Sequence, residues 1–296
     1  MDGQPTQTQK QYDSAYRVLT KMTGKKIEDI LTTPEDTYEC MTTHEYKEGK
    51  KYDIKSIKNF LTAIMKYYKV IGDGVVSQEQ LPNYLKYLSY FNGVKANIQT
   101  FYNQNQPTEK QREGLIPWCD VIKKRDELSK TEYGSRRHLL FSMYSYIPPL
   151  RQDFNEVRIY GRTPKNAEGN YIVINRQTRK LIMHEYKTAT HYGKYEIDLP
   201  VELVKVIEAS IKKTPREYLF TDLNEGKPYS SSSFTWFSNH TLKEVLNNPK
   251  VSVSMLRHSY ISGQDYNKLS EADKATIAKQ MTHSVHEQSM YRKIQA

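Results

Sequence analysis

Helical periodicity runs along most of this chain and changes character in the window 171–200, where apolar and polar residues alternate through YIVIN, KLIMHEY and KYEIDLP. A period near 3.6 lays apolar side chains along one face of a helix, whereas a period of two lays them on one face of a strand. With Gly193 available for a turn, the window predicts three short antiparallel strands. The expected fold class is therefore mainly α with a small antiparallel β-sheet, an α+β arrangement.

The helical pattern falls into two groups. Tyr12, Ala15, Tyr16, Leu19 and Met22 recur at helical spacing before Gly24. Two lysine-studded amphipathic runs follow, 54–71 and 78–102, with Phe60, Leu61, Met65, Leu85 and Leu88 on their apolar faces. The stretch NQNQPTEKQRE at 103–113 carries a proline and no apolar period, and reads as a break between domains. Expected boundaries are a helical domain over 1–105, a linker over 106–113 and a second domain over 114–296. In the second domain helices are expected at 116–128 and 133–146. Pro148 and Pro149 should stop one helix and start another near Leu150, placing Arg151 in its first turn. Beyond the strands, helices are expected at 201–212, 231–245, 254–266 and 271–279, with a last short turn around Tyr291.

Composition narrows the class of partner. Lysine and arginine number 44 against 34 acidic residues, a net charge of +10, which suits a protein that approaches a polyanion, nucleic acid first among them. Cys40 and Cys119 stand far apart without ligand-type spacing, so neither a disulfide framework nor a zinc site is expected, and a reducing, intracellular setting fits. The opening MDGQPTQTQKQYD has no apolar core of a signal peptide, and no stretch approaches the ~20 apolar residues of a membrane span.

Read in order, the second domain offers Arg151 in PPLRQDF, Lys187 in EYKTATHYGKYEIDLP, Arg257 and His258 in SMLRHSY, His283 in MTHS, and Tyr291 in QSMYRKI. This ordered set resembles the tyrosine recombinase family, phage integrases among them, over about residues 111–296 and more loosely over the helical N-terminal half, which would match the family's DNA-clamping core-binding domain. The resemblance implies a site-specific recombinase acting on double-stranded DNA. In it Tyr291 attacks phosphorus to give a 3′-phosphotyrosyl intermediate, conserving bond energy so that religation needs no cofactor and no metal. Arg151 and Arg257 would fork onto the non-bridging oxygens, His283 would hydrogen-bond the transition-state phosphate, and Lys187 would protonate the departing 5′ oxygen. It further implies a C-shaped clamp around duplex DNA and assembly into a tetramer on paired DNA sites. Only five residues follow Tyr291, so that assembly is expected to use surfaces other than a C-terminal helix.

Two departures stand out. Where the family usually has a histidine or lysine three positions before the second arginine, this chain has Ser254, a poor general base, leaving His258, His286 or water to take the Tyr291 proton. Where an acidic residue usually follows the first arginine by three, this chain has Phe154, with Asp153 one position earlier as the candidate to orient Arg151. Two alternatives stay open: a type IB topoisomerase, which shares this chemistry but relaxes supercoils as a monomer, and a catalytically inactive DNA-binding relative, which Ser254 would favour. The pair His283 and His286 lacks the companions of a metal site.

Overall fold

The structure is a computed structural model that describes residues 6–165, 168–222 and 226–293. The chain divides into two compact units, Met1–Gln104 and Asn105–Ala296.

Unit 1 is helical apart from a two-stranded ribbon. Its elements are α1 (Gln7–Thr23), α2 (Ile27–Thr32), α3 (Pro34–Thr43), β1 (Glu45–Lys47), β2 (Lys50–Lys51), α4 (Ile54–Ile71) and α5 (Leu81–Asn103). The ends of α1 follow local chemistry: the Thr6 hydroxyl accepts from the Gln9 amide, and Gly24 at φ +68° supplies the left-handed cap. Helix α4 is central, burying Ile57, Phe60, Leu61, Ile64 and Tyr68 against Leu19 of α1 and Tyr87 and Val94 of α5. Leu85 departs from expectation. It is half exposed, because α5 turns Tyr84, Tyr87, Phe91 and Val94 inward instead.

Two buried tyrosines close this core. Tyr68 donates to the Leu31 carbonyl, and Tyr87 donates at 2.6 Å to the Ile30 carbonyl, which also accepts from the Thr33 amide at 3.3 Å, so phenols help satisfy the last carbonyls of the short α2. Tyr87→Phe leaves the Ile30 carbonyl with only the longer bond from the Thr33 amide, at 3.3 Å. It is expected to destabilise the fold by about 1–2 kcal/mol, read as a lower urea midpoint at unchanged slope.

Unit 2 contains α6 (Glu109–Gly114), α7 (Trp118–Thr131), α8 (Arg136–Ser145), β3 (Arg158–Tyr160), β4 (Tyr171–Ile174), β5 (Arg179–Met183), α9 (Ala189–Tyr192), β6 (Tyr195–Asp198), α10 (Val201–Lys213), α11 (Ser231–Val245), α12 (Val253–Ser262), α13 (Glu271–Gln280) and α14 (Val285–Tyr291). The fold is mainly α with a small sheet. The strands lie in the order β3-β4-β5-β6; β4, β5 and β6 are antiparallel, as the alternation predicts, while β3 adds a parallel edge that the sequence pattern did not show. Three residues are too few to carry an alternation signal.

The sheet is covered on both faces. Ile172, Leu181 and Met183 enter the main core, and Tyr171, Val173 and Ile182 form a smaller cluster behind. Helix α8 sits inside that core with Leu139, Leu140, Phe141, Met143 and Tyr144 all buried, which explains why its sequence shows no polar stripe.

Two segments differ from expectation. The 103–113 stretch holds the short α6, and its neighbourhood is sewn onto unit 2: the Asn248 side-chain Nδ2 donates to the Glu113 carbonyl at 2.8 Å and the Ile116 backbone amide donates to the Ser259 hydroxyl at 3.1 Å. The expected helix after Pro149 is absent, and residues 150–157 run as bends and turns before β3. Side chains take the place of helical hydrogen bonds there. Arg257 Nη1 donates to the Pro149 carbonyl at 2.7 Å, and Tyr144 donates to the Arg151 carbonyl at 3.1 Å. Arg151 thus lies on an irregular segment instead of a helix.

Candidate active site

The start of α12 is built twice over. The Ser252 hydroxyl accepts from the Met255 amide, and the Asn239 carboxamide of α11 accepts from the Val253 amide at 3.0 Å. This brings Arg257, one turn in, to a position only 1% exposed. Its guanidinium donates to the carbonyls of Pro149 (2.7 Å) and Met281 (3.2 Å) and to His283 Nδ1 (3.0 Å), while its Nε has no hydrogen-bond partner. Burial lowers its pKa, opposed by the Tyr291 phenol beside it, yet a guanidinium stays protonated. Among the described residues no carboxylate lies within ion-pair distance of it. A buried cation with no carboxylate in direct contact, Glu287 and Asp153 acting on it only from a distance, makes its surroundings favourable to an anion.

His283 follows from this. Its Nδ1 faces a donor that cannot accept, so Nδ1 is the acceptor and the proton resides on Nε2. The ring is 2% exposed, and burial, followed by the charges of Arg257 and Arg151, brings its pKa down to about 3. It is a neutral donor across ordinary pH. Its Nε2 is buried and has no hydrogen-bond partner of good geometry.

The turn between α13 and α14 joins these groups. Thr282 takes the left-handed conformation at φ +55°, which a β-branched residue adopts at a cost of roughly 1–2 kcal/mol. In that conformation its carbonyl accepts from Arg151 Nη1 (3.2 Å) and from the Thr188 hydroxyl (3.1 Å), and its own hydroxyl also receives Arg151 Nη1 at 3.2 Å. One strained residue therefore fixes both Arg151 and the loop that carries Lys187.

Tyr291 ends α14, whose first turn is capped by the Ser284 hydroxyl accepting from the Glu287 amide. The Tyr291 ring centroid lies 4.9 Å from the Arg257 guanidinium carbon, 5.2 Å from the His283 ring and 4.7 Å from the His258 ring. Arg151, Lys187, Ser254, Arg257 and Tyr291 line one cleft of about 520 Å³ together with Asp153. His283 is outside that lining but touches it through Arg257 and the Tyr291 ring.

Lys187 is exposed, in the turn ahead of α9, and has no ion-pair partner among the described residues. Lys180 and Lys194, its neighbours in the sheet region, are both engaged by Glu196, whose carboxyl they hold down at about 2. Ser254 is exposed at the cleft, one turn before Arg257. His286 is exposed and does not line the cleft. His258 has its Nδ1 2.8 Å from the Tyr291 carbonyl and its Nε2 3.1 Å from the Gln111 side-chain Nε2, so neither nitrogen is free for the Tyr291 phenol.

No family model matches this sequence, and no curated protein matches it. Among solved structures, a crystal structure of XerA recombinase superposes with a TM-score of 0.45 at 17% identity, over 99% of this chain and 89% of that one. A XerH site-specific recombinase bound to its difH substrate, in a pre-cleavage complex, gives 0.45 at 14% identity, over 96% and 81%.

Several partners in the cleft were not visible in the sequence. Glu287, not Asp153, is the carboxylate paired with Arg151, at 3.5 Å. Phe154 is fully buried against Tyr144, which turns Asp153 toward the cleft; there burial raises its pKa despite the nearby Lys187 amide and the arginines. Thr282 and Gln111 carried no signal at all, since each acts through its backbone or through a residue far away in sequence.

Proposed function

We propose that this chain is a metal-independent DNA strand-transfer enzyme of the tyrosine recombinase kind. The observation that carries the reading is Arg257, a buried guanidinium with no carboxylate at ion-pair distance among the described residues, set against the ring of Tyr291 on a cleft shared with Arg151 and Lys187. A phosphodiester placed in that cleft meets two guanidiniums for its non-bridging oxygens, and His283, which borders the cleft behind Arg257 and the Tyr291 ring, has an Nε2–H to add as a third donor. The Tyr291 oxygen forms a bond to phosphorus as the bond to the 5′ oxygen breaks. Lys187 hands its proton to that oxygen, and the phenol proton leaves to solvent, since both His258 nitrogens are occupied. Attack by a 5′ hydroxyl on the phosphotyrosine reverses the balance and rejoins the strand. Unit 1, rich in lysine, supplies further phosphate contacts, and the active assembly is a tetramer on paired duplex sites.

The test is incubation with nicked suicide DNA duplexes drawn from a random or genomic library, followed by a denaturing gel. A covalent protein–DNA adduct is expected from the unaltered chain and none from Tyr291→Phe, while salt-sensitive binding persists in both. An adduct that survives the substitution removes Tyr291 from the reaction. Relaxation of any plasmid by a monomer would instead assign a type IB topoisomerase.

Ser254 favours a second reading, DNA binding without cleavage. A hydroxyl at the mouth of the cleft is a poor base, and no histidine replaces it there. Binding without adduct on every substrate is the outcome that reading requires.

A further inference from the structure

Tyr291 is held from a distance by a residue at the very start of unit 2. Gln111 occupies the third position of α6 and completes its capping box: its amide N–H donates to the Thr108 hydroxyl at 3.2 Å, and its side-chain Oε1 accepts from the Thr108 amide at 3.0 Å. That second bond fixes which end of the carboxamide is oxygen. The other end, Nε2, lies 3.1 Å from His258 Nε2 and has only protons to offer, so this imidazole nitrogen is an acceptor. His258 then carries its proton on Nδ1, which is 2.8 Å from the Tyr291 carbonyl oxygen, an atom that can only accept. Both ends of the chain demand the same neutral tautomer.

We propose that Gln111 is a positioning residue for the Tyr291 nucleophile, acting through His258. The inference rests on the reading of Tyr291 as nucleophile. Helix α14 has seven residues, too few to hold itself, and Tyr291 is its last, where carbonyls have no partner within the helix. The anchors of that end are the His258 bond to the Tyr291 carbonyl and, just beyond, the Lys293 amide donating to the Ser262 hydroxyl at 2.9 Å. His258 is 9% exposed, and Gln111 selects the proton placement that lets it grip the backbone. Loss of the Gln111 donor frees the ring to adopt the other tautomer, which presents a lone pair to the Tyr291 carbonyl and repels it. The phenol oxygen is then no longer held in line with phosphorus.

Two variants separate positioning from folding. Gln111→Leu removes both side-chain bonds. Gln111→Glu keeps the acceptor for the Thr108 amide but offers His258 an acceptor in place of a donor, so both His258 bonds form only when the ring carries two protons. Single-turnover adduct formation on a nicked suicide duplex, at saturating protein, is measured against pH alongside DNA affinity. Gln111→Leu is expected to slow adduct formation by about ten- to a hundredfold at every pH, with affinity within about twofold of wild type. Gln111→Glu is expected to approach the wild-type rate near about pH 6 and to fall about tenfold behind it by about pH 9. Wild-type rates in both variants overturn the proposal while leaving Tyr291 in place. So does a pH-independent deficit in Gln111→Glu matched by weaker DNA binding, the mark of a merely structural residue. An absence of adduct from the unaltered chain overturns the nucleophile itself, and the positioning role with it.

Discussion

Arg257→Lys is expected to abolish most strand cleavage, slowing adduct formation by about a hundredfold to a thousandfold although the charge is kept. The geometry says why. Arg257 uses three separate donations, to Pro149, Met281 and His283, to fix its plane, and it keeps its Nε–H uncommitted. An ammonium at the end of a flexible stem is a point charge with three donors, all of which the two carbonyls and the imidazole would claim, and it cannot present a planar fork to a phosphate. Where the stem fails to reach every acceptor, a buried carbonyl goes unsatisfied at about 1–3 kcal/mol. The variant is therefore expected to melt roughly 2–12 °C lower than the parent as well. Calorimetry and single-turnover cleavage on the same preparation check both parts; cleavage within about threefold of wild type would remove Arg257 from the phosphate site.

How much of this was open to sequence reading depends on the range over which each residue acts. Helices such as α10 and the strands β4, β5 and β6 announce themselves because burial of one face imposes a period, whereas the short α6 and α9 have too few residues to show one. Arg151, Lys187, Ser254, Arg257 and Tyr291 could be nominated by type and order, and they do share a cleft. What failed had non-local causes. Two prolines suggested a helix start at Leu150, but donors from Tyr144 and Arg257 satisfy that backbone in an open form, and neither can be inferred from the neighbouring residues. Leu85 was placed on the apolar face of α5 by its hydropathy, whereas tyrosines with hydroxyls bonded to α2 carbonyls compete for the interior. Asp153 seemed the natural partner of Arg151 by proximity in sequence. Glu287, more than a hundred positions away, holds that place because Thr282 and α14 bring it there.

Acid is expected to unfold unit 2 through His283 in particular, and the sign follows from its burial. The ring's pKa in the fold is about 3 against 6.5 when free, so below about pH 6.5 the unfolded chain takes up a proton that the folded chain refuses. Stability from this residue is complete above that pH and is lost as pH falls toward 3, at ~1.4 kcal/mol for each pH unit. Three units of acidification approach the ~5 kcal/mol at the low end of a domain's whole stability. His283→Asn tests the cause. Its side-chain oxygen replaces Nδ1 as acceptor for Arg257 but does not titrate, so the slope of unfolding free energy against pH between about 4 and 6 should flatten by ~1.4 kcal/mol per unit. A slope that is unchanged in the variant assigns the acid sensitivity to other groups. The same substitution deletes the Nε2–H, and by the proposed chemistry it should slow adduct formation by about ten- to a thousandfold at neutral pH, where the parent's fold is fully intact. Stability gained in acid and cleavage lost at neutrality, from one side chain, is the combination that follows when a buried neutral imidazole is kept for the donor it presents to a phosphate.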